Sequence, residues 1–511
     1  MWPGPPRGPI IGGMSYPHLS RKPHREPPDP GTALSRRVTL VLAVALFLLV
    51  ARLQALSSFA PQQPAPVQAA EVDAPATTTD QFGLTARLYV MVLHGLGMPD
   101  PDGKASDALA KAAPTPRDEV RAVASMAEMA PTPEAGTARA LARLEELRTE
   151  FERLANESPD DREANALLAD LDALRIVYTE GPASLDDETR DRLVHRHGWF
   201  GRLALTFGLD DDDPERAAIF GPAGALAAGV IVAAVVVPLA LLIGFVLLVV
   251  GLVLFTGRSL RPRFVPPMPG GSVYLETLVV FMLGFLGVKV AADMVGLALS
   301  DTAAVVAGLV LQGGLVVLIF WPIVRGVPFA RWRAATGWHA PRGVLREIGC
   351  GVLGYLAALP VFAAGVVLSL VLSALWALVS SALRGTPEQQ PLPQNAPLDL
   401  VLSGNTVLVV LLFLMATAWA PIVEETIFRG ALYRHARARI GAVAAGMLAA
   451  LVFAFMHGYG PLFTPPLIAL GFMFAVLREW RGSLIASVTA HFLHNFVTLS
   501  TLLIVVHLLG S

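Results

Sequence analysis

Charge is scarce in this chain. Asp, Glu, Lys and Arg make up 16% of its 511 residues, against 54% that are hydrophobic. A soluble domain of ordinary makeup carries about 25% charged residues, so that class is excluded. Cysteine is nearly absent: Cys350 stands alone in an apolar segment, which excludes an intramolecular disulfide framework. Neither sign of charge dominates. The formal net charge is -2, and the basic residues fall in small clusters between apolar runs rather than along one stripe, so nothing points to nucleic acid as a partner. What the chain does have is long apolar runs, and a mean hydropathy of +0.56 marks a polytopic membrane protein with the lipid bilayer as its surroundings.

Residues 1–37 are rich in Pro and Gly, lack periodicity and carry Arg7, Arg21, Lys22, Arg25, Arg36 and Arg37. They read as a disordered, basic cytoplasmic tail. Residues 38–56, VTLVLAVALFLLVARLQAL, are long enough to cross a bilayer once. The rival reading is a cleaved signal peptide, with SFA at 58–60 as the cleavage site, and it leaves the next segment on the same side. Residues 57–217 differ in kind: Pro/Ala/Gln-rich at first, then charged with helical spacing, Leu141, Leu144, Leu147 and Phe151 recurring on one stripe. They read as a soluble, mostly helical insert on the extracytoplasmic side. The run Asp210, Asp211, Asp212, Asp213 near its end has no calcium-loop spacing around it and reads as a solvated acidic stretch.

From residue 218 to 511 apolar runs alternate with polar joints, giving expected spans at 220–256, 274–299, 303–324, 348–383, 404–428, 442–457, 462–478 and 484–508. With the first span, the expectation is an all-α polytopic protein of about nine transmembrane helices. The basic joints hold Arg258, Arg261 and Arg263; Arg325, Arg331, Arg333, Arg342 and Arg346; Arg429, Arg434, Arg437 and Arg439; and Arg478 and Arg481. If each run crosses once, all four clusters lie on the cytoplasmic side, as the positive-inside bias demands. Splitting either of the two longest runs, 220–256 or 348–383, into a hairpin would turn later clusters outward, so both read as long, tilted or kinked spans.

Against this background the stretch APIVEETIFRG, residues 420–430, is anomalous, because it sets two glutamates at the end of an apolar helix. A charge near the centre of a membrane helix costs roughly 2.5–3.5 kcal/mol. Glu425 and Arg429 are four residues apart with the acid first, the favourable order, so Glu425 has a partner. Glu424 is turned about 100° away and has none in its own helix. A carboxylate left unpaired in an apolar surround is a candidate general base, and a structural ion network is the bland alternative. Two further intruders weigh against coincidence: His457 closes FAFMH at 453–457, and His491 and Asn495 share a helix face in HFLHN at 491–495. Depth agrees. Glu424 is 17 residues before Gly441 and His457 16 after it, so both stand at one level, roughly 25 Å above the turn.

The order Glu-Glu-x-x-x-Arg at 424–429, Phe-x-x-x-His at 453–457 and His-x-x-x-Asn at 491–495 resembles the CAAX protease and bacteriocin-processing family of intramembrane endopeptidases, also called the CPBP or Abi family. The resemblance covers about 404–500, which would be the protease core, and leaves out the tail and the insert. It implies an endopeptidase acting on a membrane protein or peptide, in which Glu424 and His457 orient and deprotonate a water while His491 and Asn495 hold the substrate carbonyl and its developing oxyanion. Glu425 and Arg429 would support the site. The expected location is a bacterial plasma membrane, multi-pass, with a cytoplasmic N-terminus. Zinc is the one cofactor to weigh, with Glu424, His457 and His491 as its ligands. The compact His-Glu-x-x-His signature is absent and Asn495 suits an oxyanion donor better than a ligand, which favours water activation without a required metal. Two other classes stand beside this one. An ion-coupled transporter would use Lys289, Asp293 and Glu276, although Lys289 and Asp293 read more simply as a self-neutralising pair packed between helices. A non-enzymatic membrane scaffold or immunity protein would use the insert to bind a partner.

Overall fold

In the computed structural model, which describes residues 26–59, 81–157, 162–299, 301–384, 400–402 and 405–510, the regular elements are helices and no β-strand forms among the described residues. Helix α1 spans Ala33–Phe59. Eight helices of the insert follow: α2 Gln81–Leu96, α3 Lys104–Lys111, α4 Pro116–Glu128, α5 Pro133–Glu157, α6 Arg162–Glu180, α7 Asp187–His197, α8 Trp199–Leu205 and α9 Pro214–Phe220. The membrane region continues with α10 Ala223–Thr256, α11 Val273–Ala298 and α12 Asp301–Gly314, which tightens through Leu315–Phe320 into α13 Trp321–Val324. Then come the short α14 Phe329–Thr336, the long α15 Val344–Arg384, α16 Thr406–Arg437, α17 Ala442–Phe455, α18 Pro465–Arg481 and α19 Ile485–Gly510.

Both long apolar runs are single helices, α10 of 34 residues and α15 of 41, each continuous through an internal proline, Pro238 and Pro360. Pro360 has no N–H for the carbonyl of Leu356 four residues earlier. Gly244 of α10 lies against that carbonyl: a Cβ there would stand 2.2 Å from the Leu356 oxygen, so only glycine permits the crossing. Seven helices of the described chain are long and apolar enough to cross a membrane. The expected count of nine included 442–457 and 462–478, which form α17 and α18 of 14 and 17 residues. At about 1.5 Å per residue these reach roughly 21 and 26 Å, short of a hydrocarbon core of about 30 Å.

The two ends of the bundle differ. At one end lie the basic joints. There Arg263 and Phe264 donate their backbone N–H groups to the carbonyl of Glu479, and Arg439 donates to the carbonyls of Gly270 and Gly271. Residues 26–37, expected to continue the structureless tail, are ordered at this end: α1 begins at Ala33, and Glu26 and Asp29 pair with the buried Arg434 at 2.7 and 3.0 Å. Two acids facing a buried arginine supply the contact energy that a tail of average composition lacks. The remainder of the expected tail, 1–25, and the Pro/Ala/Gln-rich stretch at 60–80 lie outside the described residues.

At the other end the insert packs around Leu144, Leu147, Phe151, Leu171, Leu174 and Leu203. Its core also takes in Ala223 and Leu226 from α10 and Val505, Leu508 and Leu509 from the end of α19, so the insert is built onto the membrane helices rather than tethered to them. The acidic run is partly structural. Asp213 caps α9 by accepting the N–H groups of Glu215 and Arg216, and Asp211 pairs with Arg216 at 2.8 Å. On α11, Lys289 and Asp293 are both exposed and form no ion pair among the described residues, contrary to the self-neutralising pair expected of them. Their order, base before acid, is the weaker one on a helix. Glu276 is engaged elsewhere, accepting from Ser272, Trp321 and Arg325 at 2.6, 3.2 and 2.9 Å.

Candidate active site

Helix α16 carries both glutamates and leaves α geometry twice, becoming π-helical at Met415–Trp419 and again at Thr426–Leu432. Such wide turns are frequent at functional sites. They lie immediately before and after the segment Ala420–Glu425. Trp338, from the loop after α14, donates its indole N–H to Thr426 Oγ1 at 3.0 Å and ties the second wide turn to the bundle.

Glu425 is completely buried and its Oε1 accepts two bonds, from Arg429 Nη1 at 2.7 Å and from His491 Nδ1 at 3.1 Å. The i,i+4 pair read from the sequence therefore forms and extends to a second helix. Arg429 is equally buried. Its Nη2 donates to the carbonyl of Gly471 at 2.9 Å, and its guanidinium lies 4.5 Å from the ring centre of Phe453 and 5.2 Å from that of Phe474. Gly471 admits this contact, since a Cβ there would come within 3.1 Å of Arg429 Nη2.

Glu424 faces the other way. Its Oε2 is buried without a hydrogen bond, 4.0 Å from His457 Nε2 and 3.9 Å from His491 Nε2. Helices α16, α17 and α19 thus bring three of the four expected site residues to one point, with Glu424 and His457 level as their distances from Gly441 require. The second nitrogens of the two rings are already used. His457 Nδ1 lies 2.8 Å from the Phe453 carbonyl and His491 Nδ1 meets the Glu425 carboxylate. Those oxygens only accept, so each Nδ1 carries a proton and a neutral ring turns a bare Nε2 toward Glu424. A donor role for His491 Nε2 thus requires a proton on both ring nitrogens.

Separations of 3.9 and 4.0 Å are too long for direct hydrogen bonds. They suit a single bridging water, which at about 2.8 Å from each neighbour spans such gaps. A tetrahedral zinc site with bonds of about 2.0–2.1 Å would instead hold its donors roughly 3.3 Å apart. Among the described residues no group of three His, Cys, Asp or Glu side chains is placed to hold a metal ion, so Glu424, His457 and His491 do not fit zinc in this geometry.

Asn495 is one turn beyond His491 and donates Nδ2–H to the carbonyl of Ala416, inside the first wide turn of α16, at 2.7 Å. One amide hydrogen is therefore committed to holding α16, and the other remains. Sequence reasoning missed Phe474, which stacks on His491 at 5.2 Å between ring centres, and Trp338. Neither had a signal, because an aromatic residue in an apolar protein is ordinary. His494, also in the HFLHN stretch, turns instead toward Tyr355 and Phe362.

A membrane-embedded helical bundle holding a glutamate against two histidines is the class that fold and site define, and the chain is an integral membrane protein. Residues 406–497 match the family model of the type II CAAX prenyl endopeptidases, Rce1-like. This stretch holds all of Glu424, Glu425, Arg429, His457, His491 and Asn495, is consistent with the CPBP resemblance, and supports intramembrane protease activity in general. No curated protein and no solved structure compared with the chain gives a significant match.

Proposed function

We propose that the chain is an endopeptidase that hydrolyses a peptide bond of a membrane-associated protein or peptide with a water activated by Glu424 and His457. The observation that carries this is the unbonded Glu424 Oε2 facing two imidazole Nε2 atoms at 3.9 and 4.0 Å. A water there donates one hydrogen to Glu424 and one to His457 Nε2, which fixes its lone pair toward a substrate carbonyl. As the oxygen attacks, Glu424 takes the proton and later returns it to the leaving nitrogen, as general base and then general acid. The tetrahedral oxygen is met by the free amide hydrogen of Asn495, and by His491 when its Nε2 is protonated. Glu425 holds His491, and Arg429 ties Glu425 to the backbone of α18 at Gly471.

The proposed chemistry uses no metal. Treating the purified protein with a zinc chelator should leave turnover unchanged, and a loss restored by added zinc would assign Glu424, His457 and His491 as ligands. The description of the matched family suggests prenylated carboxy-terminal peptides as one substrate class. Quenched fluorescent peptides with and without a farnesyl group, offered to the protein in liposomes, test that class. Asn495→Ala should lower turnover on whichever peptide is cut by roughly 10²–10³, and an unchanged rate would remove Asn495 from the oxyanion site.

We further propose that the basic end of the bundle is cytoplasmic and the insert lies on the far side, from the bias of arginine among the joints. In a Cys350→Ser background, an impermeant thiol reagent added to intact cells should label Ser184→Cys and spare Arg261→Cys. The reverse pattern would invert the topology.

A further inference from the structure

The basic end is more one-sided than its composition suggests. Its described carboxylates are Glu26, Asp29, Glu276, Glu347 and Glu479, and each is already paired. Glu347 is fully buried and holds Arg481 at 2.6 and 2.8 Å, Glu479 takes Arg437 and Tyr433, Glu276 takes Arg325, and Glu26 and Asp29 take Arg434. Several exposed arginines are left over. Arg37, Arg258, Arg261, Arg331, Arg333, Arg342 and Arg346 are exposed and none forms an ion pair among the described residues.

Arg331 and Arg333 lie on α14 and Arg342 and Arg346 flank the start of α15, all in the one joint between two spanning segments. Burial first, and then the charges of Arg342, Arg481 and Arg346, push the pKa of the nearby Arg263 down. Like charges held this close repel, and a bound anion relieves the repulsion. Interleaved with them are large apolar side chains left largely exposed: Val324 is 74% exposed, Phe329, stacked on Trp332, 58% and Leu345 85%. Val324 ends one spanning segment and Leu345 lies in the first turn of the next, so the apolar groups stand where acyl chains begin and the guanidinium groups where headgroups lie.

We propose that this face, centred on Arg333, Arg342 and Arg346 with Arg263 beside them, binds the anionic headgroups of phospholipids in the surrounding bilayer. A soluble polyanion satisfies the arginines but leaves Val324, Phe329 and Leu345 in water. A phospholipid covers both, because guanidinium groups pair with its phosphate while its acyl chains take the apolar side chains.

The test reconstitutes the full chain in vesicles of phosphatidylcholine with a minor share of phosphatidylglycerol, extracts it with its surrounding lipid in a copolymer disc, and measures the ratio of the two lipids. The parent should be enriched in phosphatidylglycerol. At about fivefold per arginine near an anionic surface, Arg342→Gln with Arg346→Gln should lower that enrichment by up to some 25-fold. The pair Arg342→Lys with Arg346→Lys keeps the charge, should keep most of the enrichment, and shows that the positions tolerate substitution. Inorganic phosphate should fail to displace the lipid. A parent without enrichment overturns the proposal whatever the variants do. So does a glutamine pair that retains enrichment, or displacement by inorganic phosphate, which would mark a small-anion site.

Discussion

Glu424→Gln keeps the fold and slows peptide cleavage by about 10²–10⁴ or more. The amide has the shape of the carboxylate, and Glu424 Oε2 makes no hydrogen bond whose loss would unfold the helix, since its nearest polar neighbours are the histidines at 3.9 and 4.0 Å. What the change removes is the group that takes the proton from water. His457→Ala should have an effect of the same order, because its Nε2 fixes the second hydrogen of that water. The two act on one molecule of water, so the double variant should lose little beyond the worse of the single ones. Turnover measured on one reconstituted peptide, together with a thermal melt of each variant, separates the outcomes. If the two losses multiply, Glu424 and His457 do not share a water. If Glu424→Gln melts well below the parent, Glu424 is structural.

Arg429→Ala should be the most destabilising single change at the site. It removes the cation that Glu425 accepts at 2.7 Å, the donor to the Gly471 carbonyl at 2.9 Å, and the guanidinium held against Phe453 and Phe474. Breaking one partner of a buried pair costs roughly 3–5 kcal/mol, because the other charge is left without compensation. That is a large share of the roughly 5–15 kcal/mol that keeps a protein folded. Folded yield and melting temperature should both fall, with activity lost alongside. Glu425→Gln combined with Arg429→Met removes both charges and keeps the volume, so it should melt higher than Arg429→Ala alone. Wild-type melting in Arg429→Ala would contradict the burial, and a double variant no better than the single one would show that packing and not charge dominates.

Much of the site was legible because a membrane makes polar residues conspicuous. Glu425 with Arg429 follows from helix periodicity alone, and the shared level of Glu424 and His457 from counting residues out from Gly441. The link from His491 to Glu425 was not legible, since it depends on how α19 approaches α16. Nor were the two wide turns of α16 legible, because nothing in MATAW or TIFRGAL distinguishes a π turn from an α turn. The all-helical membrane fold followed from apolar runs, yet the count of nine spans did not: α17 and α18, at 14 and 17 residues, are shorter than the seven helices long and apolar enough to cross. Hydropathy counts apolar residues and does not see Gly458 and Gly460, at φ of 77° and 75°, turn the chain between α17 and α18. The ordering of residues 26–37 was hidden for a related reason: Arg434, more than 400 residues away, supplies the partner that composition cannot reveal.

The central claim is that Glu424 drives cleavage of a membrane-associated polypeptide, and the most direct measurement compares the membrane proteomes of cells holding the parent chain and cells holding Glu424→Gln at equal abundance. The account predicts that one or a few membrane-associated polypeptides accumulate uncut in the Glu424→Gln cells, with the matching shortened products only in the parent. Identical sets of intact and shortened chains in both, with the parent folded and present, would contradict it.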